Sequence, residues 1–285
     1  MLMFPSKYRL CELFGIPIYV DFSFAILLLI FVTSGSSLVN GATWALALAV
    51  SVVLHELGHS LTARAFGYQT RDITISLLGG CASLVGMPKK ALQEFLTAFA
   101  GPAVSFALAI GATLAMGLLA AEGSALSLLW HILTGSVRYG QMGEYFVFLS
   151  GNDPIFACSV GAYRLIDLLL DFACLNAMLG VFNLLPGFPM DGGRIFRSVM
   201  RAFMSRAKAT FIAMWVGRVF AVLLGLSGAW AIIHGGNWGF VRILIAWMIW
   251  REGMREYQMA LQDERWTNWS QGDFNARVSP PPYDR

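Results

Sequence analysis

The side chains best suited to chemistry in this chain occupy one short run, His55-Glu56-Leu57-Gly58-His59, inside a long apolar stretch. Two histidines four positions apart lie on one face of a helix, so both can reach a single metal ion. The glutamate beside the first histidine can accept a proton from a metal-bound water, as in the H-E-x-x-H arrangement of zinc hydrolases. Each ionisable side chain within a membrane span costs about 3 kcal/mol on insertion scales. The run therefore predicts a hydrolytic metal centre, and two core histidines satisfied within a polar seam are the alternative.

A third metal ligand must come from elsewhere, because a catalytic zinc ion usually has three protein ligands and a water. Asp191 is the strongest candidate, since it follows the run Asn183-Leu184-Leu185-Pro186-Gly187-Phe188-Pro189-Met190, where prolines and glycines interrupt an apolar segment. Non-helical backbone at membrane depth is tolerated only where it lines a cavity or is buried in protein. Capping of a following helix is the alternative role for Asp191. Three other ionisable residues are weaker candidates: His131, His234 and Glu94.

Composition limits the class of protein. Hydrophobic residues make up 57% of the 285 positions, charged residues only 13%, and the mean hydropathy is +0.63. An ordinary soluble domain has about 25% charged residues, so a water-soluble protein is excluded. The net charge of +3 is too small for a nucleic-acid footprint. The four cysteines show no spacing typical of a disulfide framework or a cysteine zinc site.

Apolar stretches of helical length predict six membrane spans, at 18–34, 41–66, 92–120, 162–185, 209–234 and 238–257. Lysine and arginine gather in alternate connections, which places both termini in the cytoplasm. The first apolar run lacks a cleavage pattern and is expected to be retained as a span. The predicted fold class is an all-α polytopic membrane protein with about six transmembrane helices. We expect it in the lipid bilayer of a cell membrane, the prokaryotic cytoplasmic membrane.

Three stretches do not fit simple spans. Residues 71–77 alternate polar with apolar or β-branched side chains, and Gly79-Gly80 and the short run 81–85 follow, which predicts a small membrane-associated β-hairpin after the second helix. An irregular loop is the alternative. Residues 124–161, rich in glycine and aromatics, predict an interfacial cap on the outer face. The tail 258–285 is expected to be cytoplasmic and partly disordered, so the membrane domain is 1–257.

The pairing of the His55 to His59 run with the segment from Asn183 to Arg194 resembles the site-2 protease family of intramembrane zinc metalloproteases. Gly79-Gly80 and Ala100-Gly101-Pro102 are supporting matches, and the likeness covers about residues 10 to 255. The resemblance implies a zinc metalloendopeptidase that cuts a peptide bond within or near a transmembrane segment of a membrane-protein substrate. It implies one Zn²⁺ per chain held by His55, His59 and Asp191, with Glu56 as the catalytic acid and base.

The resemblance also implies that Asn183 lines the catalytic cleft and binds substrate. An unwound substrate needs partners for its backbone groups, so we hypothesise that the hairpin, through Gly79, Gly80 and Ile75, adds the substrate as a further strand. A hairpin that merely plugs the cytoplasmic mouth is the alternative. Many relatives have an asparagine where this chain has Ser105, and the PDZ or CBS domains that some relatives carry are not expected here. The sequence does not indicate an oligomeric state.

Two other functions compete with proteolysis. A membrane metal-ion transporter also uses His and Asp on membrane helices, but it needs a polar path to both faces. Here the ionisable cluster lies only in the half of the spans predicted to face the cytoplasm. An inactive protease-like scaffold is the second rival, and the complete set of zinc-binding and acid-base residues argues against it.

Overall fold

The computed structural model describes residues 7–34, 38–76, 79–85, 90–134, 137–142, 145–150, 153–159, 163–235 and 239–272. The helices in these ranges are α1 (Phe22–Ser34), α2 (Leu38–Ala65), α3 (Ala91–Leu119), α4 (Ala125–Leu133), α5 (Tyr163–Asn183), α6 (Asp191–Met200), α7 (Arg206–Ile233) and α8 (Gly239–Gly272). The strands are β1 (Lys7–Leu13), β2 (Ile16–Asp21), β3 (Gln69–Ser76), β4 (Gly79–Val85), β5 (Glu122–Gly123), β6 (Val137–Met142), β7 (Tyr145–Ser150) and β8 (Asp153–Ser159). The chain divides into two compact units, Met1–Leu184 and Leu185–Arg285.

Among the described residues, four helices are long and apolar enough to cross a membrane: α2, α3, residues Arg164–Asn183 of α5, and α7. The 28 residues of α2 extend about 42 Å, more than the hydrocarbon thickness of a bilayer. The chain is therefore a multi-pass membrane protein, and it is mostly helical. Six spans were predicted, and the first of them, 18–34, combines the end of β2 with the 13-residue α1. Hydropathy cannot separate an apolar strand from the apolar helix that continues it.

The all-α expectation is corrected by two four-stranded sheets within the described ranges. The first sheet has the order β1-β2-β3-β4, with β2 and β3 parallel and the outer pairs antiparallel. It contains the two strands expected after the second helix, and it also contains β1 and β2, which were missed because they precede an apolar helix without a break. The buried faces of this sheet, of α1 and of α2 share a core formed by Ile16, Ile18, Phe24, Val52, Leu57, Ile73 and Ile75.

The hairpin between β1 and β2 has an unusual turn. Phe14 and Gly15 both have positive φ, +53° and +77°, a conformation that a bulky residue such as phenylalanine rarely adopts. Arg64, in the last turn of α2, donates from Nη1 to the Phe14 carbonyl oxygen at 2.6 Å. The turn is thereby tied to the end of the helix that carries the paired histidines.

The second sheet has the order β5-β8-β7-β6 and occupies the stretch predicted as an interfacial cap. Each strand is too short to appear in a 20-residue hydropathy window. Phe148 of β7 and Phe156 of β8 pack edge to face, with ring centroids 5.8 Å apart. They join α4 and the adjoining ends of α3 and α5 in one hydrophobic core. The segment is thus a folded subdomain built on two of the spans.

The second unit consists of α6, α7 and α8. The long helices α7 and α8 are antiparallel and approach closely at small residues: a Cβ on Gly228 would lie 2.7 Å from the Gly239 carbonyl oxygen. Small residues permit this approach between membrane helices. The helix α8 continues to Gly272, well beyond residue 257, where the sixth predicted span ends. The rest of the tail, 273–285, lies outside the described residues.

Candidate active site

The histidine pair lies in the buried part of α2, in the first unit. His55, Glu56 and His59 are 3%, 7% and 6% exposed, and the two imidazole centroids are 4.9 Å apart. Packing fixes the rotation of the helix, because the neighbouring Leu57 belongs to the core under the first sheet. Gly58 lies against α3, where an added Cβ would be 2.8 Å from the Ala100 carbonyl oxygen. The predicted common face of the two histidines is therefore present.

The Nδ1 atom of each imidazole has a partner on α3. His59 Nδ1 lies 2.7 Å from the Thr97 carbonyl oxygen, and His55 Nδ1 lies 2.9 Å from Ser105 Oγ. A carbonyl only accepts, so His59 carries its proton on Nδ1 and presents the Nε2 lone pair. A serine hydroxyl can accept in the same way from His55. Metal-binding histidines are oriented by such bonds, which fix the tautomer and leave Nε2 as the ligand atom.

Gly101 and Pro102 of α3 shape the space next to the two Nε2 atoms. A Cβ on Gly101 would lie 2.7 Å from His55 Nε2 and closer still to His59 Nε2, so any side chain here would fill the position of a bound ion. Pro102 lies inside the helix and has no N–H to bond the carbonyl one turn earlier. The geometry around both imidazoles fits a metal ion.

Glu56 lies against β4. A Cβ on Gly80 would be 2.6 Å from Glu56 Oε1 and 2.5 Å from Cδ, so the strand backbone contacts the carboxyl group directly. Gly80 pairs with Ile75 and Gly79 pairs with Ser76 in the ladder between β3 and β4. The predicted glycine pair, Gly79-Gly80, therefore forms the first two residues of β4, where the strand passes Glu56.

Asp191 belongs to the second unit, where it is the first residue of α6 and is 8% exposed. The N-cap is Met190, and no side chain caps this helix. The preceding segment folds on itself, since Gly187 N donates to the Leu185 carbonyl at 2.8 Å and Met190 N to the Gly187 carbonyl at 3.1 Å. Asp191 therefore stands at the first helical position rather than at the N-cap, and its side chain lies in the buried first turn of α6.

The donor set of His55, His59 and Asp191 is buried throughout. Two imidazoles and one carboxylate are ligands that catalytic zinc prefers, and such a set leaves a fourth position for water. The donor chemistry is compatible with one zinc ion per chain.

The remaining predicted residues have other surroundings. Asn183 ends α5, is half-buried and donates from Nδ2 to the Leu179 carbonyl at 3.0 Å. Ile75 is 1% exposed in the core, and its strand β3 is paired on both sides. His131 and His234 donate from Nδ1 within their own helical turns, to the Ser127 and Trp230 carbonyls.

Sequence reasoning missed the partners of the two Nδ1 atoms. Thr97 acts through its backbone carbonyl, which every residue type has, so the sequence does not indicate this role. Ser105 was noted only as a departure from the asparagine of relatives, although its position three residues after Pro102 placed it beside the histidines.

Comparison with known proteins identifies the family. The chain belongs to peptidase family M50, whose profile matches residues 43–226, and the expected resemblance is confirmed. It is 33% identical over 261 residues to the Synechocystis protein sll0528, covering 86% of this chain and 58% of that protein. It is 32% identical over 224 residues to zinc metalloprotease MJ0392 of Methanocaldococcus jannaschii, covering 77% and 53%. The chain spans about half the length of these curated relatives.

A solved structure has the same fold. The site-2 protease from Methanocaldococcus jannaschii matches with a TM-score of 0.57 and 28% identity, over 88% of this chain and 95% of that one.

Proposed function

We propose that this chain is an intramembrane zinc metalloprotease that hydrolyses a peptide bond within or near a transmembrane segment of a membrane-protein substrate. The observation that carries the proposal is the orientation of both buried imidazoles by Nδ1 partners on α3, directly beside Glu56. A transporter site does not need a carboxylate poised beside the metal for proton transfer. An inactive scaffold does not need both histidines to be oriented by Nδ1 partners.

The proposed roles follow from the residues. When bound, zinc polarises a carbonyl group and lowers the pKa of a coordinated water to about 7. His55, His59 and Asp191 hold the ion, and Glu56 accepts a proton from the attacking water and passes it to the leaving amine. Asn183 is proposed to hold the substrate backbone through the second hydrogen of its amide, since the first is donated to Leu179.

Glu56→Gln tests this assignment. The amide cannot accept the proton, so we expect cleavage of a reconstituted transmembrane substrate to fall by about 100-fold or more, with zinc content unchanged. Asp191→Ala is the counterpart and should lose zinc as well as activity. Cleavage by the Gln variant at nearly the wild-type rate would contradict the proposal. Metal flux that survives in Glu56→Gln and disappears in His55→Ala would favour the transporter.

Substrate is proposed to bind as an added strand, and the sheet order moves this role from β3 to β4. The strand β3 has neighbours on both sides, whereas β4 is the last strand in the order and carries Gly80 against Glu56. Ile75 then supports the sheet from the core, and Gly79 and Gly80 face the substrate backbone. A strand edge supplies partners for the N–H and C=O groups of an unwound chain.

Prolines placed singly at Cys81, Ala82, Ser83 and Leu84 of β4 test strand addition. Alternate N–H groups of an edge strand point away from β3, and proline there removes a substrate partner without breaking the ladder. We expect every second variant to keep zinc and lose cleavage, whereas the intervening variants also lose zinc because the sheet is disrupted. Leu10→Pro in the opposite outer strand, β1, is the control. Full cleavage in all four β4 variants would rule out addition at this edge.

The finer topology remains a proposal. We propose that α1 and the first half of α8 complete six spans, with both termini in the cytoplasm of a prokaryotic cell. The alternation of basic connections supports this arrangement. The protease domain is proposed to comprise residues 1–257 and the tail 258–285, with α8 continuing across that boundary.

A further inference from the structure

The second unit contains a buried ion pair, and neither of its residues is a proposed metal ligand. Arg197 of α6 donates from Nη1 to Glu256 Oε2 of α8 at 2.8 Å, and the two side chains are only 3% and 11% exposed. Burying both charges carries a large desolvation penalty, so such a pair contributes little net stability compared with apolar residues. A role in fixing a particular geometry explains its presence better.

The same guanidinium also touches the segment that precedes Asp191. Its Cζ lies 4.9 Å from the ring centroid of Phe188, and Phe188 is 1% exposed. One side chain of α6 therefore holds both α8 and the non-helical backbone of 185–190. The planar guanidinium suits this double contact, because it can stack on a ring while its edge bonds a carboxylate.

Close backbone packing makes this segment and α6 move as one piece. A Cβ on Gly193 would lie 2.7 Å from the Gly187 carbonyl carbon and 2.8 Å from Phe188 N. Gly187 in turn lies against Gly217 of α7. Asp191 lies between Gly187 and Arg197 in the chain, about 9 Å along the helix axis from the arginine. A shift of α6 relative to α8 would therefore displace the aspartate.

We propose that Arg197 and Glu256 form a positioning pair that holds Asp191 where it can bind the metal. The inference rests on the proposed role of Asp191 as a zinc ligand. Neither residue of the pair belongs to the donor set of His55, His59 and Asp191. It acts by anchoring the ten-residue α6 and the Phe188 segment to α8.

Zinc affinity of the purified full-length protein, measured by competition with a chelator, tests the pair. We expect Glu256→Gln to weaken zinc binding by about 10- to 100-fold, as for loss of an outer partner of a metal site. Arg197→Lys keeps the positive charge but not the planar guanidinium that stacks on Phe188, and it should lose less zinc affinity than Glu256→Gln. Asp263→Asn is the matched control, because it breaks the more exposed pair of Arg206 with Asp263 between α7 and α8. This control should bind zinc within twofold of the wild type.

A double variant separates positioning from folding. Arg197→Leu combined with Glu256→Leu removes both buried charges, and we expect it to recover thermal stability while zinc binding stays weak. Zinc affinity equal to wild type in Glu256→Gln or in the double variant would overturn the inference. Asp191→Ala is the reference: if it binds zinc as tightly as wild type, the ligand assignment itself fails, and the inference fails with it.

Discussion

At the residue scale, the partners of the two histidine Nδ1 atoms leave the Nε2 atoms available to bind a metal ion. Thr97 and Ser105 of α3 are the hydrogen-bond partners of the Nδ1 atoms, and Gly101 of the same helix leaves room beside the Nε2 atoms. About two turns of α3 therefore supply both the orientation of the ligands and the space for the ion. The H-E-x-x-H pattern predicted the ligands, but it carries no information about a neighbouring carbonyl.

Ser105→Ala should weaken zinc binding by about tenfold, because His55 loses the group that orients it. Ser105→Asn should retain most of the affinity, since the amide oxygen also accepts from Nδ1. Chelator competition measures both variants. Ser60→Ala is the control, because Ser60 is an equally buried serine of α2 whose hydroxyl has no hydrogen-bond partner among the described residues. Equal losses in Ser60→Ala and Ser105→Ala would indicate a general packing effect.

Gly101→Ala should abolish zinc binding, because its methyl group would occupy the space beside both Nε2 atoms. Gly111→Ala lies in the same helix with nothing within 4 Å of the added carbon. We expect this control to bind zinc normally and to be more stable by about 0.5 to 1 kcal/mol, the usual gain for alanine over glycine in a helix. Zinc analysis with thermal unfolding separates the two effects. Retention of zinc by Gly101→Ala would show that the ion lies elsewhere.

At the scale of elements, long helices were predicted well and strands poorly. The spans at 41–66, 92–120 and 209–234 correspond to α2, α3 and α7, because 20 apolar residues leave a strong signal. The strands β3 and β4 were found through alternation and a glycine pair. Strands β1 and β2 merge with the apolar α1 in any hydropathy window. The sheet order, and so the central place of Ile75, depends on long-range pairing between β2 and β3 that no local pattern shows.

At the scale of the whole molecule, the sequence predicted a membrane protein with one metal centre, and the family comparison confirms that class. The subdomain of β5 to β8 and α4 was not predicted as a folded element. Its core depends on contacts between short segments and the ends of two spans, such as Phe156 with the cluster that contains Met116 and Ile166. Composition alone does not encode such contacts.

The proposed orientation of the chain can be tested with a membrane-impermeant maleimide. Cys11 is exposed on β1 and should react only after the membrane is permeabilised, because that end is placed in the cytoplasm. In a Cys11→Ser background, Leu38→Cys and Ile233→Cys should react in intact cells, since these 73% and 77% exposed residues lie at the ends of α2 and α7 that the proposed orientation places outside. The opposite labelling pattern would invert the topology.

The turn at Phe14 marks a position from which the depth of the substrate cleavage site in the membrane can be estimated. Its ring is 66% exposed, and Arg64 binds its carbonyl, so an aromatic and a basic side chain coincide at the end of α2. Such pairs are typical of the membrane surface. His59 and His55 lie five and nine residues before Arg64, about 8 Å and 14 Å deeper at the rise of a helix. The bond to be cut is therefore expected about 8 to 14 Å inside the membrane surface at which α2 ends, which is roughly two to four residues of an extended substrate segment or five to nine of a helical one.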